Sequence, residues 1–391
     1  MPISQVQKLV FITDHRFIEF DKRIFSLAFN NITLSRYSKY SSVFHVIGNK
    51  IVSQTSNSNL AELDIDNVQF NLLYPIKKIY EIVTIGSRKK CIKNVIKDSD
   101  FIISRLPSVN GIHACQIAIK KGIPFIVEIV GDVSNVAKVR NSIFGRIYGY
   151  FQKVQIDQIL KHCNLVIFVT ENYLQEQYRY EGKSIGISNV SLPSVQENLL
   201  TERIEKIRTE RKTFKIGFVG SISSKNKGFT VLLDAFNKLL KKNYDLSIEV
   251  VGNNKLDSSV KSNLNNERVE LIGTLTPGIS ILKWLDAIDI FVIPSYSEGL
   301  PRVLIEAMSR ALPCFGSNAG GIPELIGFDQ IHKAGDSNQL ARSIAIVLDN
   351  ENLMIELAKV NFIRAKSFQE TKLQKTRDHY INDFIQREVI K

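Results

Sequence analysis

Short apolar runs alternate with longer amphipathic stretches along nearly the whole chain. In the first half the runs Leu9–Thr13, Val43–Ile47, Phe101–Ser104, Phe125–Val130 and Leu165–Thr170 are rich in Ile, Val and Phe. That is the composition of strands buried on both faces. Between them the spacing turns helical, as over Gly111–Lys121 and Gly145–His162. Such alternation predicts a parallel sheet covered by helices.

Between Pro193 and Lys212 the pattern breaks, and the stretch Thr201–Lys212 mixes charges of both signs, which predicts an exposed helical connector. The alternation then restarts, with strands expected at Lys215–Val219, Ser247–Val251, Val269–Ile272, Ile290–Ile293 and Cys314–Gly316. Thr371–Ile390 is helical in period and mixed in charge. The fold class expected is α/β, with two Rossmann-like doubly wound domains facing across a cleft. Their bounds are 1–195 for an N-terminal domain, 196–213 for the connector and 214–370 for a C-terminal domain. Residues 371–391 form a terminal helix that can cross back to the first domain.

Composition fits this reading. A chain of 391 residues with 44% hydrophobic and 23% charged positions can bury two ordinary cores. Its four cysteines (Cys91, Cys115, Cys163 and Cys314) are scattered without metal-ligand or disulfide spacing, which points to a reducing setting. With no leader pattern and no apolar stretch of membrane-spanning length, the expected location is cytoplasmic, with peripheral attachment at the inner face of the cell membrane.

The net charge of +12 is uneven: 24 Lys+Arg stand against 15 Asp+Glu through Val195, and 27 against 24 after it. Lys77, Lys78, Arg88, Lys89, Lys90, Lys93 and Lys97 form the densest run. A field of that sign attracts an anionic membrane surface or a polyanion. No DNA- or RNA-binding motif accompanies it, so a nucleic-acid partner is not expected.

Open parallel sheets bind ligands at the carboxyl ends of their strands, and three segments sit at such ends. In Glu298-Gly-Leu-Pro-Arg-Val-Leu-Ile-Glu306, Pro301 suits a first helical position, placing Glu298 and Gly299 in the loop before a helix and Glu306 within it. A helix N-terminus offers free amides to a diphosphate, and carboxylates suit the vicinal diols of a ribose or sugar. In Gly220-Ser-Ile-Ser-Ser-Lys225-Asn-Lys227-Gly228, the glycine allows close backbone approach and either lysine can neutralise phosphate. In Gly316-Ser-Asn-Ala-Gly-Gly-Ile-Pro-Glu324, Gly320 and Gly321 turn backbone amides toward the same ligand.

These segments resemble the GT4 family of retaining, nucleotide-sugar-dependent glycosyltransferases of the GT-B type, most firmly from Phe214 to about Leu348. The family's E-x7-E pattern matches Glu298 and Glu306, its lysine-glycine motif Lys227-Gly228, and its G-G-x-P-E turn Gly320 to Glu324. The first half resembles the bacterial members that build capsular and exopolysaccharides, at Ser104–Ser108, Gly122–Asp132 and Gly182–Asn189.

The resemblance implies transfer with retention from a nucleotide-sugar donor, UDP- or GDP-linked, to a glycan or lipid-linked acceptor bound by the N-terminal domain. It implies that Glu306 holds the donor ribose and Glu298 the sugar hydroxyls. Lys227 would meet the diphosphate, aided by the amides of Gly299 and Leu300. Gly220, Ser221, Lys225, Gly320 and Gly321 complete the expected donor site. No cofactor is implied, and no Asp-x-Asp motif marks a strand end, so metal independence is expected.

Two departures bear on mechanism. Where many members carry an arginine, Ser221 stands, shifting the cationic load to Lys225 and Lys227. Where many carry a histidine after the strand matching Phe125–Val130, this chain has Val130-Gly131-Asp132. Glu128 or Asp132 is the candidate to cover that catalytic role; otherwise the step relies on donor and acceptor groups alone. Asp14-His15-Arg16 replaces an early glycine-rich loop, with His15 read as a satisfied loop residue. The rival readings are a catalytically degenerate protein that binds membranes or polymers, and a nucleotide-sugar epimerase.

Overall fold

The computed structural model of the chain describes residues 5–26, 29–52, 60–75, 84–134, 143–190, 192–209, 213–252, 267–276 and 278–390, less the side chains at 84, 85 and 144. Two compact units emerge: Met1–Ser191 together with Leu373–Lys391, and Leu192–Lys372. Lys77 and Lys78 of the basic run lie outside the described residues.

The first unit holds β1 (Val6–Phe20), β2 (Arg23–Ser26), β3 (Ser41–Val52), β4 (Ala61–Glu62), β5 (Val68–Leu73), β6 (Phe101–Leu106), β7 (Phe125–Ile129), β8 (Leu165–Phe168) and β9 (Ser184–Gly186). Parallel pairing orders them β5-β3-β1-β6-β7-β8-β9. β2 and β4 add antiparallel beside the far end of β1.

β1 is much longer than Leu9–Thr13. It runs on through Asp14-His15-Arg16 with a register shift between Ile12 and Arg16. The polar residues that break the apolar run are paired rather than looped out. The Asp14 carboxylate accepts from the amides of Val109 (2.6 Å) and Asn110 (3.0 Å) at the start of the helix Val109–Lys121. His15 Nε2 lies 2.8 Å from Ser26 Oγ, and its ring packs edge-on against Phe17. His15 is therefore satisfied, but in a strand. β2, β4, β5 and β9 had no legible apolar run, because they are short or only half-buried.

The helix Glu370–Phe384 carries Ile381 and Phe384 into the core of this unit, where Phe384 meets Phe101 with ring centroids 5.3 Å apart. Arg377, fully buried, donates to the Ser188 carbonyl (3.1 Å) and to Gln374 Oε1 (2.9 Å).

The second unit is a six-stranded parallel sheet of β10 (Phe214–Val219), β11 (Leu246–Val251), β12 (Val269–Gly273), β13 (Ile290–Ile293), β14 (Cys314–Ser317) and β15 (Ile331–His332). Their order is β12-β11-β10-β13-β14-β15. The order reverses between β10 and β13, and a ligand crevice belongs at the carboxyl ends of the strands at such a switch.

The expected exposed connector is corrected here. Asn198–Arg208 is a helix of this unit, with Ile207 in its core. Arg203 is 4% exposed and donates to the carbonyls of Leu285 (3.0 Å), Ile288 (2.6 Å) and Arg310 (3.2 Å). One guanidinium meets several carbonyls at once, so a mixed-charge pattern conceals an anchor.

Candidate functional site

Three loops leave the carboxyl ends of β10, β13 and β14, and backbone constraints lock them together. After β10 the chain makes a single 3-10 turn, Lys225–Lys227, and reverses at Gly228 with φ 68°. A Cβ there would stand 2.0 Å from the Pro294 carbonyl oxygen, in the loop after β13. Gly320, with φ 61°, is held the same way: its Cβ would stand 2.0 Å from the Glu298 carbonyl oxygen. Only glycine combines that backbone conformation with that approach. The Tyr296 amide donates to the Asn226 carbonyl (2.8 Å), and the Gly321 amide to the Gly299 carbonyl (2.7 Å).

The side chains follow from this stitching. Lys227 Nζ lies 2.8 Å from Glu298 Oε1, joining residues from two loops. Ser295 Oγ donates to the same carboxylate oxygen at 2.8 Å. Ser317 Oγ, fully buried, donates to the Ser295 carbonyl and ties the third loop beneath them. Gly220 stands beside the Lys227 stem, Ser221 Oγ lies 3.0 Å from Ser223 Oγ, and Lys225 is exposed on the turn. Among the described residues, no protein acceptor takes the amides of Gly299, Leu300 or Gly320. Amides of this kind, at a helix start, make a cradle for an anion.

Pro301 is corrected from first helical residue to N-cap: its ψ of 108° is extended, and the helix is Arg302–Ser309. Glu306 lies within that helix. Burial pushes its carboxyl above the usual glutamate value, and Arg302 offsets this only partly. Among the described residues its carboxylate makes no hydrogen bond. A carboxylate so placed gains from a ligand that donates two hydroxyls.

The two acids expected in the first unit are differently situated. Glu128 on β7 is 0% exposed, with Arg105 Nε donating to Oε2 (2.6 Å) and the Tyr37 hydroxyl to Oε1 (2.5 Å). Burial pushes its carboxyl up, but Arg105, the Tyr37 hydroxyl and Arg377 together hold it below the usual glutamate value. Glu128 was the one of the two acids expected on the strand itself, and it is fully engaged there. Both oxygens accept hydrogen bonds from within the unit, and Arg105 pairs with the carboxylate as an ion. Asp132, 3% exposed, accepts from the Ser134 amide (2.8 Å) and the Tyr173 hydroxyl (3.0 Å).

Ser295 and Ser317 were not singled out in the sequence. A serine after a strand is commonplace, and only the meeting of β13 and β14 reveals their positions. Among the described residues no cluster of three His, Cys, Asp or Glu is placed to hold a metal ion.

The pattern of the family described as glycosyl transferases group 1 matches residues 213–350, the segment that carries all three loops. Over 86% of this chain and 85% of the relative, the sequence is 27% identical to the protein CapJ of Staphylococcus aureus. It is also 27% identical to the capsular polysaccharide biosynthesis glycosyltransferase CapM of the same organism, over 51% of this chain and 53% of CapM. Among solved structures, Anabaena HepE in complex with UDP superposes with a TM-score of 0.67 at 15% identity, covering 97% of this chain and 100% of HepE. Its structural neighbours are GT-B glycosyltransferases, so the loops at the switch of the second sheet carry a familiar arrangement: residues 213–350 form a glycosyl transferases group 1 domain, in a chain that has the GT-B fold.

Proposed function

We propose that this glycosyltransferase moves a sugar from a nucleotide-sugar donor, held by the second unit, to a glycan or lipid-linked acceptor of a surface polysaccharide, with retention at the anomeric carbon. The observation that carries the donor site is the 2.8 Å approach of Lys227 to Glu298 beside amides at a helix start that have no acceptor among the described residues. The UDP in the HepE complex supports a uridine diphosphate donor. CapM's name supports a polysaccharide product.

In this reading Glu306 holds the ribose diol, Glu298 a sugar hydroxyl, and Lys227 the diphosphate, with Lys225 at the edge of the site. The acceptor oxygen bonds to the anomeric carbon on the face from which the diphosphate departs. The electron pair of the breaking bond goes to the β-phosphate oxygen, which also takes the acceptor proton. Lys227 and the amides of Gly299, Leu300 and Gly320 stabilise the charge that grows there, and fixed donors aimed at such charge lower the barrier. With Glu128 and Asp132 both engaged within the first unit, the proton goes to the donor rather than to a protein base. Binding is independent of a metal ion. The basic N-terminal half makes peripheral contact with an anionic membrane at the inner face of the cell membrane.

A thermal-shift panel of nucleoside diphosphates and nucleotide sugars tests the donor reading, since a ligand of the native state raises its apparent stability. UDP-linked sugars are expected to raise the melting temperature without added metal. A panel that leaves it unchanged would sink the proposal. The rival readings gain nothing from the relatives, of which CapM is named a glycosyltransferase.

A further inference from the structure

The helix Ile143–Leu160 is apolar on more sides than the first unit can cover. Its C-terminal half is docked through Ile156, Ile159 and Leu160, all buried. Toward its N-terminus apolar side chains stand in solvent: Ile143 is 74% exposed, Tyr150 69% and Phe151 61%, with Ile147, Tyr148 and Val154 also exposed. Positions 143, 147, 150, 151 and 154 follow helical spacing, so they form one stripe rather than scattered exposures.

Topology says what surrounds that stripe. The connections β5 to β6, β6 to β7 and β7 to β8 all run the same way across the sheet, and right-handed crossovers put their helices on one face. Those helices are Thr84–Ile96, Val109–Lys121 and Ile143–Leu160, and each packs against the next. The first presents Lys89, Lys90 and Lys93 to solvent, and the second ends in the exposed Lys121. An apolar, aromatic ridge therefore shares a face with a bank of lysines. Among the described residues no helix is long and apolar enough to cross a membrane. A helix that lies in the plane of a bilayer has this composition: aliphatic and aromatic groups reach past the headgroups, and nearby cations meet anionic lipid.

We infer that the exposed stripe of Ile143–Leu160, with the lysines of Thr84–Ile96, is the surface by which the protein seats on an anionic lipid bilayer. The inference rests on the membrane contact proposed above and names the residues that make it. Charge gives the approach and the buried aromatic area the residence. Binding should therefore weaken in high salt without vanishing.

The test is co-sedimentation of the full chain with phosphatidylcholine vesicles, with and without phosphatidylglycerol, at low and high salt. Wild-type protein is expected to pellet with the phosphatidylglycerol vesicles and to keep part of that binding in high salt. I147S/F151S, at exposed positions, should fold normally by circular dichroism and lose about tenfold or more in partitioning, as expected for the apolar area removed. Lys89→Gln with Lys90→Gln and Lys93→Gln should lose binding mainly at low salt. Full binding by I147S/F151S would overturn this seat while leaving a purely electrostatic membrane contact standing. Failure of the wild type on every vesicle would overturn both. A dimer that I147S/F151S converts to monomer, with vesicle binding unchanged, would assign the stripe to a second copy instead. Nucleotide-sugar binding, measured without vesicles, reports separately on the donor reading.

Discussion

Glu128 and Glu306 make an instructive pair. Each sits in a doubly wound sheet unit, Glu128 fully buried and Glu306 half-buried, and burial acts on both in the same direction. Glu128 has Arg105 and Tyr37 on its two oxygens and ends with a lowered pKa. Glu306 has only the partial help of Arg302, and its pKa is raised. The first carboxylate is a completed structural element. The second, in the donor site proposed above, is still owed its hydrogen bonds among the described residues, and a ligand's hydroxyls can supply them. Which acids serve chemistry is thus decided by what remains unsatisfied, not by residue type.

The largest effect should come from the unsatisfied acid. Glu306→Ala is expected to lower sugar transfer by about a hundredfold or more, with the melting temperature nearly unchanged, because the lost interactions are to the donor. Turnover equal to wild type would remove Glu306 from the site. Glu128→Ala should do the reverse: it leaves Arg105 buried without its partner and costs about 3 kcal/mol or more of stability in denaturant unfolding. Donor affinity should stay unchanged.

Lys227→Ala is expected to weaken uridine diphosphate binding by about tenfold in calorimetry, in line with one charge-assisted contact. Lys225→Ala should matter less, since its side chain is exposed on the turn. Equal losses would mean the two lysines share the phosphate.

The smallest effect is a difference in pH dependence. Glu306 must be ionised for both of its oxygens to accept hydroxyl hydrogens, and burial holds its carboxyl above the usual glutamate value. Donor affinity should therefore fall as pH drops toward and through that raised value, earlier than for an ordinary glutamate. Stability runs the other way for this residue. A raised carboxyl contributes stability below the unfolded value and loses it as pH rises through the folded one. Glu128, with a lowered pKa, contributes stability above the ordinary value and loses it as pH falls through its own. Comparing Glu306→Gln with wild type from pH 4 to 7 separates its titration from that of the diphosphate; identical profiles would contradict the assignment.

Much of this was legible in short-range pattern. Buried parallel strands need unbroken apolar runs, and so Ile290–Ile293 was read with the bounds it has. Glycine and proline after those runs marked the loops, since positive φ and tight approach leave few residues eligible. The group 1 likeness rested on these local signals. Local pattern misled where polar residues are satisfied at a distance: Asp14 and His15 inside β1, and Arg203 inside a helix that looked solvent-bound.

What the chain's order of residues determined by itself was the α/β class, the strand-loop-helix units and the residue types at their ends. Only the tertiary structure could decide which of those ends meet. Lys227 and Glu298 are 71 positions apart, and no local signal says that they share a hydrogen bond. Nor could any say that Arg105 would claim Glu128, or that Phe151 would stand 61% exposed. Periodicity records how a segment faces its own sheet or solvent. Pairing across segments depends on strand order, and that is fixed only when the whole sheet assembles.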